Sequence, residues 1–155
     1  MINIFIAPTD TESGLTTISL GLIQALDAQG LKVGFVKPVA PGSSANERST
    51  QLIRSVLHLD TPEPMALADV QQSVSNGMLD RTLEDAVGLH AQVAEGCDVV
   101  IIEGLVPDRS EPYTAKLNVE IAKAMGADIL LVTSAEGKSA SQIRSDLKLQ
   151  VGLFG

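Results

Sequence analysis

Two rhythms of apolar residues alternate along the chain, short unbroken runs and longer stretches in which they recur every three or four positions. The first run, INIFIA at residues 2–7, is rich in β-branched residues, has the length of a strand and ends at Pro8. From Gly14 to Gln29 the positions Leu15, Ile18, Leu22, Ala25 and Leu26 follow helical spacing, and Gly30 offers an inexpensive left-handed stop. LKVGFV, residues 31–36, predicts a second strand, and KPVAPGSS after it reads as a loop because of its prolines and glycine. A helix is predicted over 46–57, with Leu52, Ile53, Val56 and Leu57 on one side. DTPEPMALAD, residues 60–69, reads as irregular, since Pro62 and Pro64 lack an amide donor and restrict their predecessors.

The next helix covers 80–95 and stops at Gly96, and DVVIIEG, 98–104, is the clearest buried strand. A helix over 116–125 ends at Gly126, DILLVTSA, 128–135, predicts a fourth strand, and a last helix fits 138–149. Such alternation builds a parallel sheet covered on both faces through right-handed crossovers. The expected class is therefore α/β, a three-layer αβα fold with a mostly parallel sheet. The apolar ending VGLFG fits either a fragment of a longer protein or a short final strand.

Length agrees with one domain over residues 1–155, because a chain of this size can bury about 68–70% of its unfolded surface. Apolar residues make up 45% but aromatics only 3%, with no Trp, so Val, Ile, Leu and Ala must fill the interior. That composition suits helices on a buried parallel sheet. The net charge of −8 and pI near 4.6 argue against nucleic acid and acidic membranes as partners, since both require a basic face. Cys97 has no internal partner and the apolar start is too short for a signal peptide, which points to a reducing cytoplasm. No segment reaches the ~18 consecutive apolar residues of a membrane span.

Histidines 58 and 90 and Cys97 stand too far apart to suggest zinc, so no metal site is expected. His90, between Leu83, Val87 and Ala94, reads as a hydrogen-bonded flank residue, His58 as a helix-end residue suited to the dipole, and Cys97 as packing. Neither Ser13 nor Ser19 lies in a nucleophile motif, and no catalytic residue is predicted.

Residues 8–17, PTDTESGLTT, leave a strand and open a helix as a phosphate-gripping loop does. The candidate loop residues are Thr9, Asp10, Thr11, Glu12, Ser13, Gly14, Thr16 and Thr17. Two parts differ from a working loop: Pro8 replaces a glycine and removes an amide, and Leu15 stands where a lysine is needed. For an ion pair at about 4 Å with an effective dielectric of about 20, the missing attraction is about 4 kcal/mol, nearly three decades of affinity. Asp10 and Glu12 add repulsion unless a metal or an ammonium group meets them. The competing reading is a helix cap, with Thr11 or Ser13 accepting from the first free amides.

TDTESGLT resembles the variant phosphate loop of dethiobiotin synthetases, and VKPVAPG resembles their lysine-proline-valine segment. With leucine after the loop glycine, and with VVIIEGLVP and LNVEIAKAMGADILLV, the chain is more similar still to the N-terminal domain of long bacterial phosphate acetyltransferases. The resemblance implies a P-loop NTPase-like, dethiobiotin synthetase-like fold. Carried over by position, it assigns Thr11 and Glu12 to the loop, Thr16 to magnesium, Lys37 to substrate or phosphate and Glu103 to the metal shell. It also implies an aspartate near Ser49-Thr50, which is absent, and a glycine-richer loop in place of GLVP.

Lys37 and Glu103 are therefore the candidate cleft residues, with the alternative that Lys37 pairs with Glu12 or Glu103 in an emptied cleft. The implied function is a non-catalytic regulatory or assembly domain of phosphate acetyltransferase, the chemistry lying in a C-terminal domain. Its expected partners are the remaining domains of the enzyme, a homo-oligomer and a small effector such as NADH, ATP or pyruvate, with no cofactor beyond weak nucleotide binding. The alternative reading is an ATP-dependent carboxylase-ligase like dethiobiotin synthetase.

Overall fold

The computed structural model describes residues 1–11, 13–42, 47–107 and 113–155. In chain order the elements are β1 (Ile2–Pro8), α1 (Leu15–Asp27), β2 (Val33–Val36), β3 (Val39–Ala40), α2 (Arg48–Leu57), β4 (Met65–Ala66), α3 (Leu67–Ser75), α4 (Leu79–Ala94), β5 (Val99–Glu103), α5 (Tyr113–Ala124), β6 (Asp128–Val132) and α6 (Ala140–Phe154). Four strands form a parallel sheet in the order β2-β5-β1-β6. Register pairs Ile6 with Glu103 and Val36 with Ile102, so the ends of β1, β2 and β5 reach one edge together. Ligands in open α/β sheets bind at that edge.

Successive strand residues point to opposite faces, which divides the core in two. Ile6, Phe35 and Ile101 pack with Leu15 and Ile23 of α1 and Ile53 of α2. Phe5, Val36, Val100 and Ile102 pack with α3, α4 and α5 through Val70, Ala86, Leu117 and Ile121. Phe154 of α6 joins this second face, its ring 6.2 Å from that of Phe5. The three-layer αβα expectation is met. β5 is apolar up to Glu103 and buried throughout because both its faces are covered.

Two glycines, one inside β2 and one directly after β5, are there for space. A Cβ on Gly34 would lie 2.8 Å from the Val93 carbonyl oxygen of α4. On Gly104 it would lie 2.7 Å from the Phe5 ring, which is 1% exposed and cannot retreat.

The polar side chain of Asn3 ties β1 to the helices beneath it. Its Nδ2 donates to the Met125 carbonyl at 2.8 Å, and its Oδ1 lies 2.9 Å from His90 Nε2. His90 is thus the hydrogen-bonded residue its spacing suggests, and burial holds its imidazole below the ordinary value. Cys97 packs at the foot of α4, its Sγ donating to the Val93 carbonyl at 3.1 Å.

Four expectations need correction. Val39–Ala40, read as loop, pairs with Met65–Ala66 in a two-stranded parallel sheet, and Met65 N–H donates to the Pro38 carbonyl at 2.9 Å. The prolines on either side of this short strand hid it. Helix α3 follows the Pro62–Pro64 segment directly, with Leu67, Val70 and Val74 at helical spacing, because the proline restriction reaches only the residue before each ring. β6 ends at Val132 rather than residue 135. Finally, the alternative of a terminal strand fails, since residues 151–154 continue α6. No helix among the described residues is long and apolar enough to cross a membrane.

Candidate functional site

β1 delivers Pro8 to the ligand-binding edge of the sheet, where Thr9 N–H donates to the Val132 carbonyl at 2.9 Å. Gly14 caps α1 in the left-handed region, at φ 68°, a conformation that favours glycine. No side chain among the described residues caps this helix. The competing reading of Thr11 or Ser13 as a cap is therefore corrected: the left-handed turn at Gly14 opens the helix without one. Ser13 is buried, whereas Thr11 and Thr17 face solvent. Glu12 lies outside the described residues.

Leu15 has left the loop altogether. It is 6% exposed and packs with Ile6, Ile23, Phe35 and Ile101. The residue at the lysine position thus belongs to the hydrophobic core, not to an anion cradle.

The cleft residues meet below the loop. Lys37 follows β2 and Glu103 ends β5, so adjacent parallel strands bring Nζ to 2.8 Å from Glu103 Oε1. A second carboxylate arrives from α2, whose N-cap residue Glu47 places Oε1 3.0 Å from the same ammonium. Both Lys37 and Glu103 are buried. Glu103 Oε2 accepts from Ser19 Oγ at 2.8 Å, and Glu47 Oε2 accepts from the Thr50 amide at 2.6 Å. The cluster holds one cation between two anions, and the extra donors offset the surplus negative charge. Burial by itself would depress the Lys37 ammonium, but Glu103 and Glu47 together hold it above its ordinary value. Burial also acts to raise Glu47, yet Lys37 and the Thr50 amide hold that carboxyl below its ordinary value.

These shifts set a pH dependence. A depressed carboxyl stabilises the fold above its unfolded value and loses that contribution as pH falls through the native one. A raised ammonium contributes below its unfolded value, and its contribution disappears only as pH rises through the native one. Both contributions are present at neutral pH. The urea midpoint should fall as the medium is acidified below the ordinary Glu47 value of 4.5, and Glu47→Gln should flatten part of that acid limb. An unchanged limb in Glu47→Gln would place the acid sensitivity elsewhere.

Thr16, assigned to magnesium by resemblance, lies with its Oγ1 2.7 Å from Ser49 Oγ of α2. Ser49 stands where an aspartate was expected, and two neutral hydroxyls satisfy each other there. Asp10 is separated from this cluster. The expected repulsion around it is absent because an ammonium does meet it: Lys138, just before α6, puts Nζ 2.6 Å from Asp10 Oδ2 and 2.8 Å from Asp146. Thr9 Oγ1 donates to the same Asp10 oxygen at 3.2 Å. Burial opposes the shift, but the Lys138 bond holds the Asp10 carboxyl below its ordinary value. Thr9, Asp10 and Thr11 line a cavity of about 660 Å³ with Pro107, Lys138, Gln142 and Asp146. The segment after Glu103 is clamped by Asn118, whose side-chain amide exchanges two 2.8 Å bonds with the backbone of Leu105.

A family model described as an AAA domain matches residues 2–149. The chain belongs to that family. This AAA domain is also similar to phosphate acetyltransferases: 44% identical over 97% of its length to those of Pseudomonas putida and Pseudomonas aeruginosa, and 32% identical over 98% to that of Escherichia coli. In each case the domain spans 22% of the relative's length, at its N-terminal end. The P-loop NTPase-like fold expected from the resemblance is the fold of this family.

A magnesium nucleotide does not fit the donors present. Thr16 is engaged with Ser49, Glu103 with Lys37 and Ser19, and Leu15 lies in the core. Among the described residues no group of three His, Cys, Asp or Glu could hold a metal. Glu47, Ser19, Ser49 and Lys138 complete the two clusters and were not singled out as site residues from the sequence. Ser19, one turn after Leu15, carried a signal in its helical spacing. Glu47 carried a weaker one as an acid beside a predicted helix start. Lys138 carried none, since its partner Asp10 lies 128 positions away.

Proposed function

We propose that this AAA domain is a non-catalytic regulatory and assembly domain of a phosphate acetyltransferase. The interconversion of acetyl-CoA plus phosphate with acetyl phosphate plus CoA then belongs to another part of the same polypeptide. The observation that carries the reading is the Lys37 ammonium shared by Glu47 and Glu103, which leaves the cleft's cation committed to the protein itself. Phosphoryl transfer relies on positioning and electrostatics around the phosphates. With Leu15 in the core, the loop supplies no cation at the position where the carboxylase-ligase reading needs one.

In this reading the domain works in the cytoplasm within a homo-oligomer and answers to a small effector such as NADH, ATP or pyruvate. An effector changes activity only by binding one arrangement of the enzyme more tightly than another. The test compares effector responses of the parent enzyme with and without residues 1–155. Loss of the response with basal turnover retained is the expected result, and an unchanged response would remove the regulatory role.

A further inference from the structure

The neighbouring strands β1 and β6 send their following helices to opposite faces of the sheet. α1 lies on the Ile6 face, whereas α6 lies on the Phe5 face, where Phe154 meets Phe5. Parallel neighbours whose connections diverge in this way open a crevice beyond their carboxyl ends, and open α/β sheets hold ligands there. The connections from β1 and β5 diverge too, since α5 lies on the Phe5 face, but Lys37, Glu47 and Glu103 fill that crevice with one another. Beyond β1 and β6 lies the cavity of about 660 Å³, a volume usual for a small-molecule site.

Its hydrogen-bonding capacity is only partly used. Lys138 Nζ donates to Oδ2 of Asp10 and of Asp146, and these side chains are 24%, 22% and 40% exposed, so solvent reaches all three. Asp146 Oδ1 has no partner among the described residues. Thr9 Oγ1 gives its proton to Asp10 and keeps its lone pairs, and the exposed Thr11 hydroxyl has no partner among the described residues. Against these acceptors stand Gln142 Nε2, whose Oε1 is spent on the Ser139 amide, and the third Lys138 proton. Two carboxylates to one ammonium leave the described lining one negative charge in surplus. A visiting phosphate or carboxylate would meet that surplus, whereas a cation would neutralise it. Lys138 itself shows what these carboxylates accept, for its ammonium rests on both of them.

We propose that the cavity beyond β1 and β6 binds a primary ammonium group carried by a small polar molecule. Asp146 Oδ1 is the anchoring acceptor, and the Thr9 and Thr11 hydroxyl oxygens take the remaining two protons. Lys138 keeps Asp10 and shares Asp146 with the ligand, so ligand and lysine compete for one carboxylate. The anionic effectors named above would face two aspartates here, which makes this a site separate from theirs. It goes beyond the regulatory reading and does not depend on it.

Calorimetric titration of the full-length polypeptide that contains residues 1–155 with 1,4-diaminobutane tests this, at ~0.15 M salt so that long-range attraction to the acidic surface is screened. Saturable binding with a Kd below about 1 mM is the expected result. Choline, whose quaternary ammonium has no proton to donate, should bind at least about tenfold more weakly. Asp146→Asn should weaken the diamine about tenfold, whereas Lys138→Met removes the competing cation and should tighten it about threefold or more. Both residues are partly exposed, and an unchanged thermal midpoint for each variant shows that the fold is kept. Absence of saturable binding would overturn the proposal. Equal binding of choline and the diamine would overturn it as well, since the acidic surface would then be attracting any cation. So would pyruvate binding that disappears in Lys138→Met, because the cavity would then be an anion site. These readouts are of binding alone, so they stand or fall separately from the effector response that tests the regulatory reading.

Discussion

Lys37→Ala lowers the stability of the domain by about 3–5 kcal/mol, the usual cost of removing one partner from a buried ion pair. Glu103 and Glu47 would be left facing each other in a site from which water is excluded, since the side chains of Lys37 and Glu103 are 7% and 0% exposed. A domain has only about 5–15 kcal/mol in total, so the variant should lie close to unfolding at ambient temperature. Urea denaturation reads the effect as a lower midpoint with little change in slope. Adding Glu47→Gln to Lys37→Ala should recover part of the loss, because the surplus negative charge is then smaller. A loss below about 1 kcal/mol, typical of an exposed pair, would mean that the ammonium is free to meet a ligand. That outcome would remove the observation on which the proposed function rests.

Leu15→Lys should fail as a repair of the loop. Leu15 is 6% exposed among Ile6, Ile23, Phe35 and Ile101, and losing a buried leucine costs about 2–5 kcal/mol. The new ammonium would have to leave the core to find water, and the hydroxyls of Thr16 and Ser49 would remain bound to each other. The expected result is a lower urea midpoint and no micromolar Mg-ATP binding by titration calorimetry. Leu15→Met, which nearly conserves volume, should cost less than about 1.5 kcal/mol and serves as the control. A Leu15→Lys variant as stable as the parent domain and binding Mg-ATP tightly would show that one side chain had silenced a nucleotide site. The unaltered domain should give no micromolar binding either, and tight binding by it would end the non-catalytic reading.

Local pattern determined the larger part of the architecture. The runs INIFIA, VGFV and VVIIE could only be strands covered on both faces, and the helices between them announced parallel connections. That Pro8 and Leu15 interrupt a phosphate loop was also visible, because a loop's chemistry is written in consecutive residues. The sequence left open what became of the groups that loop no longer holds. Glu47 on Lys37, Ser49 on Thr16 and Lys138 on Asp10 are contacts between elements distant along the chain. Each depends on strand order and on where a helix begins. A side chain's charge is local, but its partner is chosen by packing. The sequence therefore disclosed a cradle with its cation missing, and only the fold decided that the surrounding ions and hydroxyls would satisfy one another.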